Sequence, residues 1–224
     1  LNTSDISVTC EAPANPEGYS NVSLGIGERI LSGSGLAFLY VKPPDLESLT
    51  PSFGQLASRS IVTIIGKHFL RSGTWCRFGQ FAPTPADVLS SSSIRCFSPP
   101  SKEKETVKVS VSVNAVDFGD STLEFSYKTA AMLTGLNPTI AVVSGGSAIT
   151  IFGSGFEKCA LLQMTLGSET MKLSYVSSSI AMGVTPPLAA IGNYTVAVSN
   201  NGLEWSSEGL VVQVLGDLGL TALE

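Results

Sequence analysis

The sequence is poor in charged residues and in histidine. Of its 224 residues, 14% are charged and one, His68, is a histidine. A lone imidazole cannot form a metal site that needs several histidines, and no Gly-x-Ser-x-Gly motif marks a nucleophilic serine. Since catalysis requires titratable groups that converge in a pocket, we expect no enzymatic activity, no cofactor and no metal.

The chain also lacks a basic character and a long apolar run. Its net charge is −5, whereas binding to nucleic acid needs clustered lysine and arginine. No segment approaches the roughly 18 apolar residues of a membrane-spanning helix. We therefore expect no nucleic-acid partner and no direct membrane insertion by this segment. Because the chain starts inside a repeat, we also expect a fragment of a longer protein.

The main positive feature is an internal repeat with a spacing of 87 residues. Three residues of its first copy recur in the second, Pro51 as Pro138, Gly66 as Gly153, and Phe69 as Phe156. The spacing also extends backward, since Leu123, Phe125 and Tyr127 have counterparts in Leu36, Phe38 and Tyr40. The repeat predicts a partial domain in residues 1–45, complete domains in 46–131 and 132–216, and a tail in 217–224. The joint at 129–133 is short, which predicts limited bending between the two complete domains.

Alternating patterns dominate within each repeat. Residues 107–113 place every valine on one face and Lys108, Ser110 and Ser112 on the other, which is typical of a half-buried strand. Turn-forming stretches, such as Asn-Asn-Gly at 200–202, separate the strands, and helical periodicity is not sustained. These features predict an all-β chain of two-sheet sandwiches with seven or so strands per domain.

The ordered motifs resemble the IPT/TIG family of immunoglobulin-like domains. The resemblance rests on the following stretches: Gly66 to Phe69 and Gly153 to Phe156, Cys-x-Phe-Gly at 76–79, Ile94 to Pro100, and the closing Val-x-Val and Phe-x-Tyr strands. It implies tandem immunoglobulin-like (IPT/TIG) β-sandwiches, as found in plexins and related receptors, in adhesins, in transcription factors and in carbohydrate-active enzymes. A fold with such varied hosts does not select one function.

The resemblance implies a disulfide between Cys76 and Cys96, at positions where extracellular members carry one. Closing that loop would stabilise the domain by roughly 3 kcal/mol, although two buried thiols are the alternative. In the next repeat, Met164 and Met182 align with these cysteines, which predicts a contact between two methionines in place of the bridge.

The two remaining cysteines have no evident partner. Cys10 corresponds to Cys96, so its partner is expected upstream and Cys10 should be unpaired within residues 1–224. Cys159 has no counterpart in the preceding repeat and is interpreted as a small buried apolar residue.

Three sequons mark candidate sites of N-glycosylation, at Asn2, Asn21 and Asn193. One or two sequons would arise by chance in a chain rich in serine and threonine, so they indicate a glycoprotein only together with other features.

Three functional hypotheses follow. The first is a non-enzymatic, extracellular segment of a cell-surface recognition or adhesion protein, held at the plasma membrane or secreted, that contacts a protein or forms a stalk. Its partner would be a protein on another cell or in the same surface complex. The alternatives are accessory modules of a secreted carbohydrate-active enzyme and, less in keeping with the acidic charge, a transcription-factor region.

Aromatic and arginine side chains are enriched where proteins bind one another. Trp75, Arg77, Phe81 and Phe97 are therefore the candidate contact residues. Ordinary packing within the sandwich is the alternative for each of them.

Overall fold

The computed structural model describes residues 10–32, 35–206 and 209–217. Within these ranges the chain forms β-strands and turns and contains no α-helix. It divides into two compact units, one ending at Pro43 and the other beginning at Pro44. The predicted all-β fold is thus confirmed.

In the unit that ends at Pro43, the described residues form four short strands: β1 (Gly18–Asn21), β2 (Leu24–Ile26), β3 (Arg29–Ser32) and β4 (Ala37–Tyr40). They form two antiparallel pairs, β1 with β4 and β2 with β3. Phe38 on β4 is 45% exposed, although its repeat counterpart Phe125 is fully buried. In the described residues, these strand pairs provide no second sheet to cover that ring.

The first sandwich follows. Its strands are β5 (Asp45–Thr50), β6 (Phe53–Gln55), β7 (Ile61–Lys67), β8 (Trp75–Phe78), β9 (Thr84–Pro85), β10 (Asp87–Ser90), β11 (Ser93–Phe97), β12 (Thr106–Ser112) and β13 (Glu124–Lys128). One sheet has the order β10-β11-β7-β5 and the other the order β6-β13-β12-β8-β9.

The second sandwich repeats this arrangement. Its strands are β14 (Met132–Asn137), β15 (Ile140–Val142), β16 (Ala148–Ser154), β17 (Gln163–Leu166), β18 (Glu169–Lys172), β19 (Ser174–Ser177), β20 (Ile180–Val184), β21 (Gly192–Ser199) and β22 (Leu210–Leu215). The two sheets are β14-β16-β20-β19 and β15-β22-β21-β17-β18.

Each sandwich buries the apolar face that the alternating patterns predict. In the first, Phe125 packs edge-on against Phe78 and Tyr127, with ring centroids 5.3 and 5.2 Å apart. In the second, the corresponding strand places Val212 and Val214 in an aliphatic core. Burying side chains of this size contributes about 1.5–3 kcal/mol each, so both cores stabilise the face-to-face packing of the sheets.

The repeated Gly-x-x-Phe motif allows a close approach between neighbouring strands. A Cβ atom at Gly66 would lie 2.2 Å from the Asp45 carbonyl oxygen, and one at Gly153 would lie 2.1 Å from the Met132 carbonyl oxygen. The ring of Phe69 packs against Gly66, and that of Phe156 packs against Gly153. The motif therefore specifies the same strand pairing in both sandwiches.

Candidate functional site

A disulfide joins the two sheets of the first sandwich. Cys76 lies on β8 of one sheet and Cys96 on β11 of the other, and both residues are fully buried. Among the described residues, Cys10 and Cys159 are free thiols. The cross-link therefore spans the core of this sandwich.

The second sandwich has no such bridge, and the predicted contact between Met164 and Met182 is wrong. Met164 is buried on β17, in the place of Cys76, but Met182 is 44% exposed on β20. Gly183, and not Met182, pairs with Ile149, just as Cys96 pairs with Val62. A shift of one residue moves a strand side chain to the opposite face of the sheet.

Gly183 leaves room that other side chains fill. The Cε atom of Met171 lies 2.4 Å from the position of a Cβ at Gly183, and a Cδ2 atom of Leu173 lies 2.8 Å from it. Methionine suits such irregular space because its side chain is flexible. The second sandwich thus replaces the bridge by packing from β18 and the residue after it.

The unpaired cysteines differ in their surroundings. Cys10 is exposed, whereas Cys159 is half-buried against the second core. The Cys159 Sγ donates a hydrogen bond to the Asn200 carbonyl oxygen at 2.8 Å, and burial raises the pKa of this thiol. Cys159 therefore packs against the apolar core and also donates a hydrogen bond.

Two of the predicted contact residues share a surface. Trp75 and Arg77 are half-buried on the outer face of β8. The Arg77 guanidinium carbon lies 4.2 Å from the centre of the Phe118 ring, which comes from the loop after β12. Such stacking of a cation on a ring stabilises by about 0.5–1 kcal/mol at exposed sites, so Arg77 is already ordered by its own chain.

The other two candidates lie elsewhere. Phe81 packs at the margin of the first core, with its ring 5.8 Å from that of Tyr127. Phe97 is 46% exposed on β11, in the opposite sheet, where Arg59 lies 5.5 Å from its ring. The structure therefore brings together Trp75 and Arg77 but not all four residues.

The joint between the two sandwiches, which the sequence predicts to be short, is held by contacts that the sequence did not reveal. Its centre is Glu204, in the loop after β21, whose carboxylate reaches into the first sandwich. One carboxylate oxygen accepts the Gln55 backbone N–H at 3.1 Å, and the other accepts a short hydrogen bond from the Ser60 hydroxyl. Hydrogen bonds to a charged group contribute about 1.5–3 kcal/mol each, so this contact holds the sandwiches firmly.

Neighbouring groups complete the joint. The Asn201 side chain donates to a Glu204 oxygen at 2.7 Å and to the Phe53 carbonyl oxygen at 3.4 Å. Lys128 forms an ion pair with Glu157 at 2.6 Å and lies 5.1 Å from the centre of the Phe53 ring. The cavity left beside Phe53 is only about 10 Å³, at the lower limit of the space that one water requires. The joint is therefore polar and closely packed beside Phe53, whereas wider clefts of about 350 and 300 Å³ flank it.

Gly54 allows the first sandwich to form the surface that binds the Glu204 carboxylate. A Cβ atom there would lie 1.9 Å from the Ser60 Oγ and 2.9 Å from the Phe125 ring. The absent side chain lets the Ser60 hydroxyl approach β6 and point at Glu204.

The loop that carries Glu204 has a signal in the sequence. The pattern Ser-x-Asn-x-x-Asp/Glu occurs twice, at 112–117 and at 199–204.

Tyr127 is a buried titratable group in the first core. Its hydroxyl makes no hydrogen bond within the part of the chain that the structure describes. Burial raises the pKa of Tyr127 to about 12, and the negative charge of Glu105 acts in the same direction. Both effects disfavour the phenolate, and a weaker interaction with the Ser98 side chain opposes them.

We expect Tyr127→Phe to leave stability at pH 7 unchanged or to raise it, since it removes a buried hydroxyl without a partner. Tyrosine has a pKa of about 10 in an unfolded chain. The folded protein keeps its proton to higher pH, so wild-type stability falls as pH rises from about 10 to about 12. Urea unfolding across this range should show a shallower fall in the variant. A fall of equal slope in both proteins would contradict this assignment.

The sequons fall on different parts of the chain. Asn21 ends β1 and Asn193 lies near the start of β21, and both residues are exposed. Asn2 lies outside the described residues. Both described asparagines are therefore accessible to modification.

The described ranges contain neither a cluster of metal ligands nor a membrane-spanning helix. There, no three His, Cys, Asp or Glu side chains cluster closely enough to hold a metal ion. No helix among those residues has the length and apolar character to cross a membrane.

Solved structures with a similar fold include surface proteins. The plexin A4 extracellular region aligns with 92% of this chain at 18% identity and a TM-score of 0.58, with 19% of the plexin chain covered. SGBP-B from Bacteroides ovatus, solved with a mixed-linkage heptasaccharide, aligns at 16% identity and a TM-score of 0.32, covering 74% of this chain and 44% of that one. The present chain thus spans about a fifth of the plexin chain. At 18% identity, the likeness to plexin A4 concerns the fold alone.

A family profile described as IPT/TIG domain matches residues 44–127 and 131–213. The two matches coincide with the two sandwiches and together cover most of the sequence. The chain therefore belongs to the IPT/TIG domain family.

Proposed function

We propose that this chain is a non-enzymatic, extracellular segment of a cell-surface recognition or adhesion protein. It acts by contact with another protein, or as a stalk that sets the spacing of other segments. The observation that carries this proposal is the pair of IPT/TIG sandwiches joined through Glu204, one of which contains an internal disulfide. Disulfides persist mainly in oxidising compartments, which supports an extracellular location.

The contact surface in this proposal is the outer face of β8. Trp75 and Arg77 lie two residues apart there, and Phe118 extends the surface through its stacking on Arg77. A large aromatic side chain and an arginine on a rigid strand offer contact area at a low entropic cost. In the same proposal, Asn21 and Asn193 carry N-linked glycans.

The location is tested on cells from the native source. An antibody against residues 44–224 should label intact cells, and digestion with a peptide N-glycosidase should increase the mobility of the protein in gels. Labelling that requires permeabilised cells, with no change on digestion, would contradict an extracellular location.

We expect Trp75→Ala and Arg77→Ala each to weaken binding of the labelled chain to such cells by about tenfold, the effect of losing one interface hot spot. Phe97→Ala is the matched control, because it removes an exposed aromatic from the opposite sheet. Unchanged binding by both test variants would exclude this face as the contact. Binding that depends only on another segment of the longer protein would assign these sandwiches to a stalk.

A further inference from the structure

We propose that the loop from Ser112 to Phe118 is a second docking element, whose partner is another IPT/TIG sandwich presenting the surface formed here by Phe53–Gln55 and Ser60. This inference does not depend on the proposed cellular role. It follows from one loop that occurs twice in the structure, once docked and once exposed.

The two loops share the same set of internal hydrogen bonds. In the docked loop, the Asn201 Oδ1 accepts bonds from the Ser199 hydroxyl and from the backbone N–H groups of Leu203 and Glu204. In the exposed loop, the Asn114 Oδ1 accepts them from the Ser112 hydroxyl and from the N–H groups of Val116 and Asp117.

The acidic residue is held in the same way in both loops. The Asn201 Nδ2 donates to a Glu204 carboxylate oxygen at 2.7 Å, and the Asn114 Nδ2 donates to an Asp117 carboxylate oxygen at 2.8 Å. Each asparagine thus orients an acid five residues after a serine. Each loop therefore presents its carboxylate in a fixed position, which reduces the entropy lost on docking.

The exposed loop has the same backbone shape as the docked loop, although this shape strains one of its residues. Gly202 has a φ of 76° in the docked loop, and Ala115 has a φ of 64° at the equivalent position. A side chain in the left-handed region costs on the order of 1 kcal/mol. An alanine in this conformation shows that the internal bonds determine the loop shape without glycine.

The two loops differ in whether a partner covers them. Asn201 is 4% exposed and Glu204 is half-buried against the first sandwich. Asn114 and Asp117 are exposed, and Val116 between them is 76% exposed. The exposed loop therefore has the carboxylate side of the joint without the surface that donates hydrogen bonds to it.

The docked loop defines the chemistry of the partner. The partner surface must offer a backbone N–H and a hydroxyl that both donate to one carboxylate, as Gln55 and Ser60 do. It also needs a glycine beside the hydroxyl, as Gly54 shows. Aspartate is one methylene shorter than glutamate, so the Asp117 loop should bind this surface more weakly than the Glu204 loop.

The docked loop must first be shown to control the joint. We expect Glu204→Ala in the full chain to speed amide exchange at Gln55 by about tenfold, because the N–H loses a charged acceptor. Residual dipolar couplings should then report different alignment for the two sandwiches. Asp117→Ala is the matched control, since it alters the equivalent acid, and it should change neither measurement. If Glu204→Ala also leaves both unchanged, the inference fails.

The exposed loop is then tested by NMR between full chains. In the isotope-labelled Glu204→Ala chain, the Gln55 N–H and the Ser60 hydroxyl have lost their carboxylate, and unlabelled wild type supplies the Asp117 loop. At a concentration of about 1 mM, in the range of weak complexes, we expect the Gln55 and Ser60 resonances to shift. Unlabelled Asp117→Ala should reduce the shift about tenfold, and Asp117→Glu should increase it because its reach matches Glu204.

Two controls separate this docking from unspecific association. Ser60→Ala in the labelled chain should abolish most of the shift, since it removes the hydroxyl donor. Shifts of equal size with wild type and with Asp117→Ala would overturn the proposal, as would the absence of any shift with wild type and Asp117→Glu.

Discussion

Replacing both Cys76 and Cys96 by alanine is expected to lower the free energy of unfolding of the first sandwich by about 3 kcal/mol. The two residues are 20 positions apart, and for a loop of this length the entropy of the opened, unfolded chain accounts for roughly that amount. The bridge also joins the two sheets across the core, so its loss removes buried contacts as well. Denaturant unfolding followed by tryptophan fluorescence reports the change, since Trp75 adjoins the bridge.

Reduction of the wild-type protein is the first comparison, and it should lower stability to a similar extent. Cys159→Ala is the matched control, because this thiol is half-buried in the second sandwich and has no disulfide partner. It should cost about 1 kcal/mol, close to the value of one hydrogen bond. Equal stability of the oxidised wild type and the double variant would show that the bridge does not contribute.

Gly66→Ala and Gly153→Ala are each expected to destabilise their sandwich by about 3 kcal/mol, the range of severe overpacking. In both cases the new methyl group would lie close to 2 Å from a backbone carbonyl oxygen of the adjacent strand. The phenylalanine ring three residues later approaches the same point from the other side. The strands must therefore separate, which breaks the pairing of β5 with β7 or of β14 with β16.

Gly119→Ala provides the control, because a Cβ atom there meets nothing within 4 Å. Its effect should stay within about 0.5 kcal/mol, as for other surface substitutions. Thermal unfolding of the three variants tests the comparison, and similar melting temperatures for all three would contradict the role given to the motif.

The strands were predictable because they depend on local pattern. Alternation in residues 107–113 and the Leu123, Phe125 and Tyr127 series identified one apolar face each, and the structure buries Val109, Val111, Phe125 and Tyr127. Ser110 and Ser112, which were expected on the open face of β12, are buried as well, so this strand is not half-buried there. Period-two alternation needs no knowledge of the partner strand. The repeat likewise carried the Gly-x-x-Phe motif from the first sandwich to the second.

The register between strands was harder to predict from the sequence. The alignment of Met182 with Cys96 was off by one residue, and the side chain consequently lies on the exposed face. The repeat spacing of 87 residues leads from Cys96 to Gly183, whereas matching Ile94 to Ile180 leads to Met182. The pairing of Gly183 with Ile149 across the sheet decides between the two alignments. The sequence likewise could not show that Trp75 and Phe97 lie apart, because that depends on which sheet each of their strands joins.

By itself, the sequence determined that this is an all-β chain of repeated IPT/TIG sandwiches, because buried faces, turns and repeated glycines are local features. Only the tertiary structure decided that Glu204 reaches Gln55 and Ser60, 149 and 144 residues earlier. That contact depends on how two folded surfaces meet, and no local pattern encodes the distance between them. The repeated Ser-x-Asn-x-x-Asp/Glu loop acquires its significance only when one copy is seen docked and the other exposed.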